Sequence, residues 1–186
     1  MQVEKLIPVE CLNQETFSPY GWVLPQGTQK TGFSQPGSDF WHEHDFNPGA
    51  AGESEILWVT YRNTSLVILS LEAHWLTEQA IVPLGGGEIV QVVCTSRNDS
   101  TRLPDLDRLR AFKIGAGRGV CMRPGIWHAS FSSGGEVACI MFTRRSTTRD
   151  LVDHLEGRSV AVETSIVELE SIDGRLLKCV TMQGTS

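Results

Sequence analysis

The chain has 186 residues, 40% apolar and 20% charged, which is the composition of a globular protein of one-domain size. Sixteen Lys and Arg against 22 Asp and Glu give a net charge of −6, which disfavours a nucleic-acid binder because such proteins need a dense positive surface. No apolar run approaches the ~20 residues of a membrane span, and the opening six residues, with Glu4 and no apolar core, do not read as a signal peptide.

In chain order, residues 13–18 read as a short helix, capped by Asn13 and ended by Pro19. Residues 26–54, rich in Gly, Pro, Ser and Gln, read as a long loop of the kind that forms lids. From Ile56 onward, short β-branched runs alternate with turn signals. Strands are predicted at 56–61, 66–71, 80–84, 89–94, 109–114, 119–122 and 137–143, which argues for an all-β sandwich or barrel. Beyond residue 146 the pattern gives a C-terminal unit: a helix over 146–155, capped by Ser146 or Thr147, then one or two strands with a turn at Asp173-Gly174. Residues 1–186 thus read as a single domain. The cysteines, Cys11, Cys94, Cys121, Cys139 and Cys179, are odd in number and lack a C-x-x-C pair. They read as small buried hydrophobes in a reducing cytoplasm.

Two segments carry chemistry. In Glu72-Ala-His74-Trp-Leu-Thr-Glu78-Gln79, strand periodicity puts Glu72 and His74 on one face, and Gln79 opens the next strand. Alternation cannot turn both Glu78 and Gln79 inward. In Gly119-Val-Cys-Met-Arg123-Pro-Gly125-Ile-Trp-His128, a strand meets a Pro-Gly turn, and His128 follows three residues after the glycine. Together the segments resemble the two cupin motifs, with Glu72, His74, Gln79 and His128 at the positions that converge inside a barrel. The fold expected is therefore an all-β cupin-type β-barrel or jelly roll with a few short helices. Two histidines and a carboxylate suit Ni, Mn, Fe or Zn, while the Gln amide is a poorer ligand, so a divalent metal is a candidate cofactor. The second His-x-His, His42 and His44, lies in the long loop and reads as a lid contact or a surface feature, while Phe40, Trp41 and Phe46 beside it suggest a packed lid or dimer contact. His154 reads as solvated.

The resemblance extends further. Residues 12–24, the block Leu71-Glu72-Ala-His74 through Pro83, Pro104-Asp105 through Phe112, and Gly119 through His128 are similar to four blocks of the ureidoglycolate lyase family, in the same order over about residues 10–145. That resemblance implies a cupin barrel, a homodimer, and cleavage of (S)-ureidoglycolate to glyoxylate and urea in allantoin (purine) degradation. It implies catalytic roles for Glu72, His74 and His128 and substrate contacts from Arg62, Gln79, His44 and Arg123. Glu72, His74, Gln79 and His128 are the implied metal ligands. The loop departs from the family at Trp41-His42-Glu43, where the family arginine is missing. An acidic chain that binds an anionic acid must supply local positive charge, from Arg62, a metal or both. The competing expectation is another cupin lyase, isomerase or dehydratase acting on a related small acid; a third is a non-enzymatic ligand-binding module. A pure binder needs no acid/base pair, so the intact Glu72, His74 and His128 favour an enzyme.

Overall fold

The computed structural model describes residues 4–25, 32–172 and 176–181. The first half contains β1 (Glu4–Cys11), α1 (Gln14–Phe17), β2 (Gly21–Pro25), β3 (Phe33–Gln35), β4 (Ser38–Phe40), β5 (Ser54–Tyr61), β6 (Val67–Ile68), β7 (Ser70–His74), β8 (Gln79–Pro83) and β9 (Ile89–Cys94). The second half contains β10 (Arg110–Ile114), β11 (Arg118–Met122), β12 (Trp127–Ser132), β13 (Val137–Arg144), α2 (Arg145–Leu155), β14 (Thr164–Glu168), α3 (Leu169–Ile172) and β15 (Leu176–Thr181). Eight strands pair in the order β14-β7-β12-β9-β10-β1-β15-β6, and five in the order β2-β11-β8-β13-β5. The two curled sheets face each other as a cupin-type barrel.

Alternation explains the packing. In β13, Val137, Cys139, Met141 and Thr143 are buried, while Ala138, Ile140 and Phe142 look outward. Strand β9 is buried at every position because it lies between two cores. Ile89 and Val93 pack with Phe112, Val120, Met122 and Met141 between the sheets. Val90, Val92 and Cys94 pack behind the larger sheet with Leu71, Trp127, Leu177 and Cys179. A strand buried on both faces reads as a continuous apolar run, as this one does.

Several expectations change in detail. Asn13 caps α1 as predicted, its Oδ1 accepting from Thr16 N–H at 2.9 Å. The 66–71 run is not one strand: Leu66 takes φ +57, outside the extended region, and the remainder divides at Leu69 into β6 and β7. The 26–54 segment is not loop throughout, since β3 and β4 form a hairpin, with Phe33 against Phe40 at 5.8 Å. Helix α2 begins at Arg145, so Ser146 and Thr147 sit inside its first turn rather than capping it, and their hydroxyls donate to Glu163 at 3.0 and 2.6 Å. Strands β1, β2 and β12 are additions to the sequence reading. The predicted tail strands are β14 and β15, whereas the turn at Asp173-Gly174 lies outside the described residues. Of the cysteines, Cys11 is exposed and the other four are buried. His154 is half-buried rather than solvated, its Nδ1 3.4 Å from the Ala161 amide.

No helix among the described residues is long and apolar enough to cross a membrane.

Candidate active site

The site is assembled by strand register. Ala73 packs into the rear core, so Glu72 and His74 on either side of it point into the barrel. His128 on β12 is the register partner of Glu72 on β7, which puts both on the same face. The Pro-Gly turn locks the two motif segments together. The Gly125 N–H donates to the His74 carbonyl at 2.7 Å. Gly125 has φ +77, and a Cβ there would sit 3.1 Å from the Trp75 ring, so glycine is needed for both conformation and space.

At the centre, Glu72 Oε1 lies 3.3 Å from His128 Nε2 and 3.8 Å from His74 Nε2. The two imidazoles meet edge to face at 5.2 Å. His128 Nδ1 lies 3.0 Å from the Ile126 carbonyl, which accepts only from a protonated nitrogen, so Nδ1 carries a hydrogen and Nε2 is the atom turned toward Glu72. That Nε2 is buried, and its angle to Glu72 leaves it without a formed hydrogen bond. His74 Nδ1 faces the Thr164 hydroxyl at 3.1 Å. Burial, reinforced by the neighbouring His128, holds His74 down to about 4, so it is neutral near pH 7. Burial alone would raise the Glu72 carboxyl, but His128 and His74 outweigh it and hold Glu72 below the ordinary value, as a carboxylate.

A cavity of about 240 Å³ opens in front of this group. Glu72, His74, Gln79 and Tyr61 form its polar end, Leu57, Val59, Met141 and Leu151 its apolar walls, and Thr143 with Thr147 and Thr148 of α2 another part of the lining. His128 sits behind Glu72 and His74 rather than in the wall. The Tyr61 phenol is pushed up by burial and stays a neutral donor, in contact with Ser130, which donates to Gln91 at 2.8 Å. The Thr143 and Thr148 hydroxyls are buried and lack hydrogen-bond partners among the described residues. A larger cleft of about 510 Å³, lined by Trp75, Arg102 and His154, holds none of the motif carboxylate or imidazole groups and is not the reaction chamber.

Glu72, His74 and His128 each offer one donor atom, all within 4.8 Å of one another. They fit a divalent metal. A histidine whose Nδ1 is engaged by a backbone carbonyl while a buried Nε2 stays unpartnered has the arrangement of a metal ligand.

The other sequence candidates divide. Gln79 is in the cavity wall. Arg62 is not: Tyr61 faces inward, so the next residue faces outward, and Arg62 pairs with Glu136 at 2.8 Å on the exposed surface. His44 and Arg123 are also absent from the lining. His44 stacks on Trp22 at 4.2 Å and reaches Glu78 at 2.9 Å, and Arg123 stacks over Trp22 at 4.1 Å. Trp22 lies outside the barrel because its neighbour Val23 is in the core. Glu78 is buried on that outer side, as alternation requires once Gln79 points inward. Tyr61, Thr143 and Thr148 escaped the sequence reading, since no motif marks them. The one available signal was the inward parity of β5 and β13.

Two curled, mostly antiparallel sheets with imidazole and carboxylate groups aimed into the lumen define a cupin-type scaffold with a candidate metal-binding site. Residues 4–163 match the family model described as ureidoglycolate lyase. The chain belongs to the ureidoglycolate lyase family. It is 29% identical over 133 residues to ureidoglycolate lyase from Brucella abortus biovar 1 (strain 9-941), covering 69% of this chain and 75% of that one. It is 33% identical over 123 residues to ureidoglycolate lyase from Escherichia coli O1:K1 / APEC, covering 63% and 73%. Among solved structures, a dTDP sugar isomerase from Desulfovibrio desulfuricans G20 superimposes with a TM-score of 0.39 at 19% identity, covering 59% of this chain and 68% of that one.

Proposed function

We propose that the protein is a lyase that eliminates urea from (S)-ureidoglycolate to give glyoxylate, in allantoin degradation. The observation that carries this reading is the ionised Glu72 carboxylate in the cavity wall, held by two buried imidazoles, in a chain of this family. Ureidoglycolate bears a hydroxyl, a ureido nitrogen and a carboxylate on one carbon. As the C=O of glyoxylate forms, the hydroxyl loses a proton and the C–N bond breaks. The departing nitrogen gains a proton, so no net proton is consumed.

Glu72 Oε1 faces the two histidines, which leaves the other oxygen to take the hydroxyl proton and return it to the leaving nitrogen. His128 positions Glu72 from behind. His74, neutral at working pH and with its basicity lowered, is a poor proton donor and a weak base, and serves as a wall group. Gln79 and the neutral Tyr61 hydroxyl supply hydrogen bonds to substrate oxygens. The unpartnered Thr143 and Thr148 hydroxyls are suited to the ureido group, whose N–H and C=O satisfy them. Among the described residues the cavity lining contains no Lys or Arg, so the substrate carboxylate needs another source of positive charge. A divalent metal bound to Glu72, His74 and His128, with Gln79 beside it, would supply that charge and acidify the hydroxyl.

The setting we infer is the cytoplasm, where free thiols stay reduced. The state we infer is a homodimer, in keeping with Ile56 and Trp58, 64% and 72% exposed on edge strand β5. Racemic ureidoglycolate, incubated with purified protein with and without Ni²⁺ or Mn²⁺, should yield urea and glyoxylate in equal amounts. No product under either condition refutes the reading. Light scattering that gives a monomer at micromolar concentration refutes the dimer.

A further inference from the structure

A second group of ligating side chains lies on the outer face of the five-stranded sheet, away from the cavity. Met122 points into the core, so Cys121 beside it points out, next to the outward Glu78. The 41–50 segment brings His44 over this pair. Asn47 N–H donates to Glu78 Oε2 at 2.8 Å, His44 Nε2 lies 2.9 Å from the same oxygen, and the Cys121 thiol donates to it at 3.7 Å. One atom from each of His44, Glu78 and Cys121 falls within 4.8 Å of the others. Only 16% of the His44 side chain and 8% of that of Glu78 are exposed, and Cys121 is buried.

The charge balance is unusual. Burying a carboxylate is costly unless a cation neutralises it. Among the described residues no Lys or Arg forms an ion pair with Glu78. The nearby Arg123 is committed to the Trp22 face and to the Ser18 carbonyl, to which it donates at 2.6 Å. The close partners of Glu78 are instead the His44 imidazole, the Cys121 thiol and the Asn47 amide.

We propose that His44, Glu78 and Cys121 form a second transition-metal site, separate from the barrel, that fastens the 41–50 segment to the outer face of the sheet. A nitrogen, sulfur and carboxylate-oxygen set suits Zn²⁺ or Co²⁺ and is poorly matched to Mg²⁺ or Ca²⁺. On binding, the Cys121 S–H bond is replaced by a metal–sulfur bond and its proton passes to solvent. A divalent ion minus the thiol proton adds one positive charge beside the buried Glu78 carboxylate. Without metal, burial and the Glu78 carboxylate keep the thiol protonated, so uptake should be steeper at higher pH. Three protein donors leave the fourth tetrahedral position to water. The Trp22 ring stacked on His44 holds the imidazole in place.

The test is a Co²⁺ titration of the full-length protein, because the barrel group contains no sulfur and a thiolate-to-cobalt charge-transfer band in the near ultraviolet therefore reports the outer site alone. The expected result is that band, with one proton released per outer ion. The band should vanish in Cys121→Ser and persist in a Cys11→Ser control. Cobalt bound in the barrel should survive in Cys121→Ser. No band at saturating Co²⁺, or a band unchanged in Cys121→Ser, overturns the proposal. Glu78→Gln, which keeps an acceptor for the Asn47 amide, should weaken the outer site at least tenfold with native circular dichroism. Unchanged outer affinity in that variant also overturns the proposal, and this arm decides the matter if Cys121→Ser does not fold.

Discussion

The neutral state of His74 predicts how the metal-free protein responds to acid. An unfolded histidine protonates near 6.5, whereas folded His74 stays neutral down to about 4. Between these values the unfolded chain binds one more proton than the folded chain, so stability is full above 6.5 and falls as the pH drops toward 4. The whole shift corresponds to roughly 3 kcal/mol, of which about 2 kcal/mol is lost by pH 5. Glu72 shifts in the same sense, but its window begins at the ordinary 4.5, below the pH 5 limit of the measurement. Urea denaturation of chelator-treated protein between pH 7 and pH 5 measures the loss. His74→Gln removes the titrating group and should flatten the slope by close to one proton. Equal pH slopes for the wild type and His74→Gln would refute the reasoning.

Glu72→Gln keeps the shape of the side chain and removes the base, so steady-state kinetics should show kcat lower by about 10²–10⁴-fold. His128→Ala should also lose most of its turnover, and near-normal activity would remove His128 from the mechanism. Arg62→Ala should leave KM within about twofold of wild type and stability within about 0.5 kcal/mol, because its ion pair with Glu136 is exposed. Thr148→Val should raise KM while leaving thermal stability equal or slightly higher, since a buried hydroxyl without a partner costs about 1–3 kcal/mol. Gly125→Ala should destabilise by about 1–3 kcal/mol, measured by urea denaturation, through the positive φ and the Trp75 contact.

Most strands between Ile56 and Thr143 were legible because alternation and glycine turns set their limits, whereas β12 and the division of the 66–71 run were not. Strand β1 was not, because Pro8 and its charged residues hide the pattern, and its pairing with β10 and β15 is made at long range. The core of the site was legible because Glu72, His74, Gln79 and His128 fall on a spacing that strand parity imposes. Arg62 was misplaced for want of one fact: whether Tyr61 or its neighbour faces inward depends on the β5–β13 register, in which Tyr61 partners the buried Val137. The placement of His44 needed the path of a segment without regular periodicity. Thr148 needed the position of α2 over the cavity, which is a tertiary fact.

Thr164, the partner of His74 Nδ1, lies on β14, one residue beyond the stretch that matches the family model. Strand β14 is also what separates β7 from the rim of its sheet. A fragment ending near residue 160 would retain every motif residue yet leave β7 as an open edge and the His74 ring free to turn over. The smallest unit able to hold Glu72, His74 and His128 in register is therefore longer than the motif pattern suggests, and the C-terminal segment is a structural part of the candidate site.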